Sequence, residues 1–186
     1  MQLIEKVKNG HAASFEVLMH RHKGKVASVI KGMLGNTPEA EDVGQDVFIR
    51  FYKTIDKFKG DSELSTYLVR IAINLSINAI NRRKKRFFLS IDDVYSTEVS
   101  DKASQSECPE NRDLKEILDK AIRALDPKYR KVVVLRLVNG YSTKETAEIL
   151  DVPMGTVLSR LARGQKKLQD LLKPYYDTKI THKNTA

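Results

Sequence analysis

From Val43 onward, apolar residues recur at steps of three or four: Val43, Val47, Phe48, Phe51, Ile55 and Phe58, with one adjacent pair. That period lays them along one side of a helix. The chain also marks where this helix begins. Leu34-Gly35-Asn36 is a stop signal. Thr37-Pro38 is a start, with Thr as N-cap and Pro at the first helical position, where its missing N–H has no partner to lose. Lys59-Gly60-Asp61 breaks the pattern. A second stripe of Leu64, Leu68, Ile71, Ala72, Leu75 and Ala79 predicts another helix over residues 64 to 81.

The periodicity lapses after Arg86. Residues 90 to 113 carry seven acidic and two basic side chains, several serines and one proline, which is the composition of a linker. Apolar positions return at Leu114, Ile117, Leu118, Ala121, Ile122 and Leu125. Asp126-Pro127 caps the next segment and Asn139-Gly140 ends it. Between them, Val132-Val133-Val134-Leu135-Arg136-Leu137-Val138 taken alone would suit a strand. The flanking start and stop signals favour a helix. The expected organisation is all-α. Two small helical domains occupy 1–88 and 113–173, a linker spans 89–112, and a polar tail covers 174–186.

The last helices carry the clearest local chemistry. Ser142-Thr143-Lys144-Glu145 has the form of a capping box, in which the Ser hydroxyl and the Glu carboxylate each accept from the other's backbone N–H. The helix that follows is expected to bury Ala147, Ile149 and Leu150. It stops at Asp151-Val152-Pro153, and a new helix starts at Met154. Two short helices around so tight a turn predict a helix-turn-helix. Val157 and Leu161 would hold the second helix against the first. Thr156, Ser159, Arg160, Arg163 and Lys167 would then face outward at steps of three or four. In the major groove such a helix sets its N-terminal side chains on base edges. An Arg at 160 suits guanine, a pairing that discriminates by about 1–3 kcal/mol. Lys166 and Lys167 suit phosphates, which position without specifying.

The first block presents two further faces. Glu39, Glu41, Asp42 and Asp46 make one helix acidic near its start. Favourable interaction with the helix dipole accounts for Glu39 and Glu41. It accounts less well for Asp46, a turn farther on. Asp42, Gln45, Asp46 and Ile49 share one exposed side, as a protein-docking surface would. On the next helix, Tyr67, Arg70, Asn74, Asn78 and Asn81 also fall at steps of three and four, and they run into Arg82-Arg83-Lys84-Lys85-Arg86. Amides and guanidinium groups can hydrogen-bond bases, a tyrosine can stack on one, and a cation run suits a phosphate backbone. The combination fits single-stranded DNA. A solvated face with a charge run at a domain boundary explains the periodicity equally well.

Composition narrows the classes. The 186 residues carry a net charge of +9, which favours a polyanionic partner. Cys108 is the single cysteine and has no partner for a disulfide or a thiolate metal site. No apolar run approaches the roughly 20 residues of a membrane span. Lys6 and Lys8 lead into an amphipathic pattern and not into the apolar block of a signal peptide. No membrane insertion and a cytoplasmic setting are therefore expected, with no cofactor and no catalytic residue. His20 and His22 are two apart, so on a helix they point to different sides, and no carboxylate completes a metal-binding spacing. That argues against a metal-dependent enzyme acting on nucleic acid.

Three of these stretches together resemble the extracytoplasmic-function group of the sigma-70 family. They are Asn36 to Arg50, Ser65 to Leu75, and Val152 to Leu161. The resemblance covers about residues 1 to 172 outside the linker. It implies a transcription initiation factor with no catalytic activity. The first domain would dock on the β′ clamp helices of core RNA polymerase and capture single-stranded DNA at the −10 element. The second would read duplex DNA at the −35 element and contact the β flap. By matching position, Asp42, Gln45, Asp46 and Phe48 belong to the core-binding motif, and Ile49 joins them through the shared exposed side. Tyr67, Asn74 and Asn78 fall in the −10 segment, and Arg70, Asn81, Arg82 and Arg83 join them through the polar face and the cation run. Thr156, Ser159, Arg160 and Arg163 fall in the −35 reader, and Thr143, Lys166 and Lys167 are candidates beside them. Many members of the group are held by an anti-sigma factor, although nothing in this chain identifies one. Tyr67 stands where the group usually has Trp, Asn78 where it has Asp, and Leu158 where Lys is common. A helix-turn-helix regulator that binds operators alone is the alternative. It leaves the 36–50 motif and the polar face at 67–81 unexplained.

Overall fold

The computed structural model describes residues 2–58, 60, 63–91 and 109–183. Among these the architecture is all-α. The helices are α1 (Gln2–Lys8), α2 (Ala12–Leu34), α3 (Pro38–Thr54), α4 (Leu64–Ile91), α5 (Pro109–Ala124), α6 (Pro127–Val133), α7 (Thr143–Leu150) and α8 (Met154–Lys183). The chain divides into two compact units, one holding α1 to α4 and the other most of α5 to α8.

In the first unit, local signals set the helix ends. The Thr37 hydroxyl accepts from the Ala40 N–H at 3.2 Å, and Pro38 opens α3. Gly35 closes α2 at φ 84°, a left-handed conformation that a side chain would oppose, and its N–H bonds Lys31. Helices α2, α3 and α4 pack on one another around Val29, Ile30, Met33, Val43, Val47 and Phe51. Phe51 is fully enclosed, with Phe15 stacked at 6.4 Å and Phe58 and Tyr67 edge-on at 6.5 and 6.1 Å. The chain leaves α3 through a 3₁₀ turn at Ile55–Lys57.

Two expectations change here. The buried side of α4 is Leu68, Val69, Ala72, Ile73, Ser76, Ala79 and Ile80, while Leu64, Ile71 and Leu75 are only partly buried. The cause is that α4 packs against both α2 and α3, which widens its buried face. Ser76 enters that core because its hydroxyl donates to the Ala72 carbonyl at 2.8 Å. The helix also runs past residue 81 to Ile91, so the cation run lies within it.

In the second unit, α6 packs on α8. Val132, Val133, Val134 and Leu135 are all buried, which is why their sequence lacks a helical stripe. The run is helical, and Val134–Val138 widens into a π-turn closed by Asn139 N–H on the Val134 carbonyl at 3.0 Å. Gly164 of α8 lies so close to α6 that an added Cβ would stand 2.9 Å from Val133 Cγ2. The Arg130 guanidinium donates to the Arg123 and Leu125 carbonyls, satisfying the end of α5.

Three further differences concern the ends and flanks of helices. Asp126 occupies the N-cap position of α6, but its side chain makes no cap bond and lies 3.6 Å from Lys167 Nζ. Helix α5 begins at Pro109, and its Leu114 and Leu118 are exposed. Only Ala121, Ile122 and Leu125 of its apolar face are buried. Helix α8 continues through Pro174 to Lys183, so the segment read as a tail from its polarity begins inside a helix. A proline removes one rung of the ladder without preventing the helix from resuming beyond it. The linker expected over 89–112 overlaps the ends of α4 and α5, and its residues 92–108, with Cys108, lie outside the described residues.

Candidate functional site

The acidic side of α3 faces solvent. Asp42, Gln45, Asp46 and Ile49 are exposed, Ile49 by 51%, and Phe48 is partly buried. Burying Val43, Val47 and Phe51 fixes this orientation, because residues three and four apart share a helix side. Beside it runs a groove of about 890 Å³ between α2 and α3. Phe15, Met19 and His20 of α2 line it together with Phe48, Ile49 and Tyr52. The α2 wall was not anticipated. Phe15 and Met19, one helical turn apart, were the available signal.

On α4, Asn74, Asn78, Asn81, Arg82 and Arg83 are exposed, while Tyr67 and Arg70 are partly buried. Tyr67 is held from two sides. Its ring meets Phe58 edge-on at 5.2 Å, and its hydroxyl lies 3.4 Å from Thr54 Oγ1. It ties the turn after α3 to α4 and offers only part of its ring outward.

The helix-turn-helix has the expected local bonds. Ser142 N–H donates to Glu145 Oε2 at 2.7 Å, and Glu145 N–H donates to Ser142 Oγ at 3.1 Å. Asp151 takes the turn at φ 52°, and Val152 N–H then reaches the Ala147 carbonyl. Val157 is fully buried and Leu161 partly so, which seats the first turns of α8. Ser159, Arg163 and Lys166 are exposed, whereas Thr143, Thr156 and Arg160 are partly buried. Ser159 Oγ donates to the Thr156 carbonyl at 3.1 Å. Lys167 is drawn toward Asp126, and its ammonium is 5.7 Å from the Tyr129 ring centre. Lys131 of α6 joins this basic surface. Burial, and then the charge of Arg160, hold its ammonium below the ordinary lysine pKa. Packing of α6 on α8 brings the two together, so no local motif announced it.

Among the described residues, no group of three or more His, Cys, Asp or Glu side chains is placed to hold a metal ion. No described helix is long and apolar enough to cross a membrane.

Comparison with known proteins matches two segments of the chain to two family descriptions. Residues 18–86 match Sigma-70 region 2, and residues 115–168 match Sigma-70, region 4. The chain is 35% identical over 177 residues to the ECF RNA polymerase sigma factor SigW of Bacillus subtilis, covering 91% of this chain and 95% of that protein. It is 33% identical over 181 residues to the ECF RNA polymerase sigma-E factor of Escherichia coli, covering 92% and 93%. Two solved structures share its fold at TM-score 0.67 and 24% identity. One is the sigma factor RpoE with the anti-sigma factor NepR from Bartonella quintana, covering 86% of this chain and 96% of that one. The other is CnrH with the cytosolic domain of CnrY, covering 92% and 96%. By its helices, its two matched regions and these relatives, the chain belongs to the sigma-70 family, in the extracytoplasmic-function group of RNA polymerase sigma factors.

Proposed function

We infer that this sigma factor binds core RNA polymerase through α3 and places it on promoters by paired contacts from α4 and the helix-turn-helix. One observation carries the reading. A single chain joins an exposed acidic and apolar docking side to a capped helix-turn-helix. Asp42, Gln45 and Asp46 supply charge and hydrogen bonds to the β′ clamp helices. Ile49 and Phe48 supply apolar area beside the α2–α3 groove. The amide ladder Asn74, Asn78 and Asn81, with Arg70, Arg82 and Arg83, receives the −10 strand, and the packed Tyr67 sets the turn that leads into it.

Region 4 reads the −35 duplex. Arg160 and Thr156 sit nearest the base edges, and Ser159 lies on the same side. Thr143, Arg163, Lys166, Lys167 and Lys131 meet phosphates, a sequence-independent and salt-sensitive contribution. Region 4 also contacts the β flap, and an anti-sigma factor is a further partner. Two weak contacts on one chain gain from effective concentration, because the first makes the second intramolecular. Promoter binding by the free factor is therefore weak. The protein takes part in no bond chemistry of its own and works in the cytoplasm.

Transcription with purified core polymerase tests the reading, with sequencing of DNA that co-purifies with the holoenzyme. The expected outcome is initiation at sites sharing spaced −35 and −10 elements. Failure to form a complex with core sinks it, and tight operator binding by the free chain would instead mark a stand-alone regulator.

A further inference from the structure

The five consecutive cations Arg82 to Arg86 are divided by the helix that carries them. Arg82, Lys85 and Arg86 line a concavity of about 570 Å³ whose other wall is Glu39, Asp42, Val43 and Asp46 of α3. Arg83 and Lys84 do not line it. Cations at i, i+3 and i+4 share one side of α4, and carboxylates at i, i+3 and i+7 share one side of α3. The two sides face each other. One pair closes to 3.8 Å, Arg86 Nη2 to Glu39 Oε1. The Arg86 side chain is 75% exposed, so the pair is weak alone and sensitive to salt. Its interest lies in which groups oppose each other. Asp42 and Asp46 belong to the side assigned to core polymerase, and Arg82 to the side assigned to the DNA strand.

We propose that this opposed cluster is an electrostatic latch that couples core binding to DNA binding, with Glu39 as its positioning residue. It rests on the surface assignments made above. In the free factor, Glu39, Asp42 and Asp46 occupy Arg82, Lys85 and Arg86 and repel an approaching phosphate backbone. Core polymerase engages Asp42 and Asp46, and the cations become available to the strand. Carboxylate and phosphate compete for the same donors, so by linkage DNA binding strengthens core binding by the same factor. Glu39 has no assigned contact with core or DNA, which makes it the residue that isolates the latch.

The test measures binding of a labelled oligothymidylate to the full-length factor, free and in holoenzyme, at low ionic strength. Glu39→Gln should raise the free factor's affinity about two- to fivefold, the range an exposed ion pair supports. It should raise the free factor's core affinity by a similar factor, because core opens the same latch, and the gain in DNA affinity should disappear in holoenzyme. It should also disappear when Arg82, Lys85 and Arg86 are all replaced by Ala. A gain that survives removal of the three cations, or persists in holoenzyme, is a general charge effect and overturns the latch. No gain from Glu39→Gln, with DNA binding still weakened in the triple variant, overturns the latch and leaves the −10 assignment standing. Wild-type DNA binding by the triple variant overturns both.

Discussion

The two regions present the residues proposed to face DNA in different ways. Region 4 mounts them on a local motif. A capping box starts α7, a left-handed Asp151 and a buried Val157 set the first turns of α8, and Ser159, Arg163 and Lys166 stand clear. Region 2 holds several of its candidates in tertiary contacts. Tyr67 is packed on Phe51 and Phe58, and part of the basic run faces the carboxylates of α3. The difference teaches that the proposed duplex reader rests on locally fixed helix ends, while Tyr67 of the proposed strand-capturing face is part of the core of its own domain. Changes in the region 2 core should therefore reach function directly.

The largest effect that tests this contrast is Phe51→Ala. Truncating a fully buried phenylalanine costs about 3–5 kcal/mol. Core binding should be lost, and dispersed amide signals should vanish for region 2 while those of region 4 remain. Loss of both sets would break the comparison. Gly164→Ala probes the other side. A methyl placed 2.9 Å from Val133 Cγ2 forces α6 and α8 apart at about 1–3 kcal/mol, against a helix-propensity gain of at most about 1 kcal/mol. Region 4 should melt earlier, and a rise in its midpoint would show a looser approach.

Ser142→Ala removes one half of the capping box and should cost about 0.5–2 kcal/mol. The −35 contacts should weaken while core binding through region 2 holds. The smallest effect concerns His22. Burial, then the charges of Lys25 and Arg21, hold its pKa below 6.5. The unfolded chain then binds more protons, so the stability His22 contributes is complete above about pH 6.5 and is lost as pH falls through the lowered value. A pH series of denaturation midpoints should show a shallower acid slope for His22→Gln, and an unchanged slope would remove His22 from the account.

How much of this was legible in the sequence follows from the same contrast. Thr37-Pro38, the Ser142–Glu145 box and the Asp151 turn are local devices, and each stands where its residues placed it. The α3 stripe was legible because α3 has a distinct exposed side. The α4 stripe was displaced because that helix is buried from two directions, and periodicity alone describes one. The opposition of Glu39 to Arg86 and of Lys131 to Arg160 joins residues far apart in the chain. Tyr67 read as a free stacking ring because nothing in its neighbourhood announces Phe58 or Thr54 as its partners.

The central claim is that core docking belongs to α3 and −35 reading to α8, on separate surfaces of one chain. The most direct measurement selects promoters from a library randomised at −35, using holoenzymes of the wild type and Arg160→Ala, with core affinity determined for both. The account predicts that the variant loses base preference at −35 and keeps its affinity for core. Equal loss of both would contradict it and make Arg160 a structural residue.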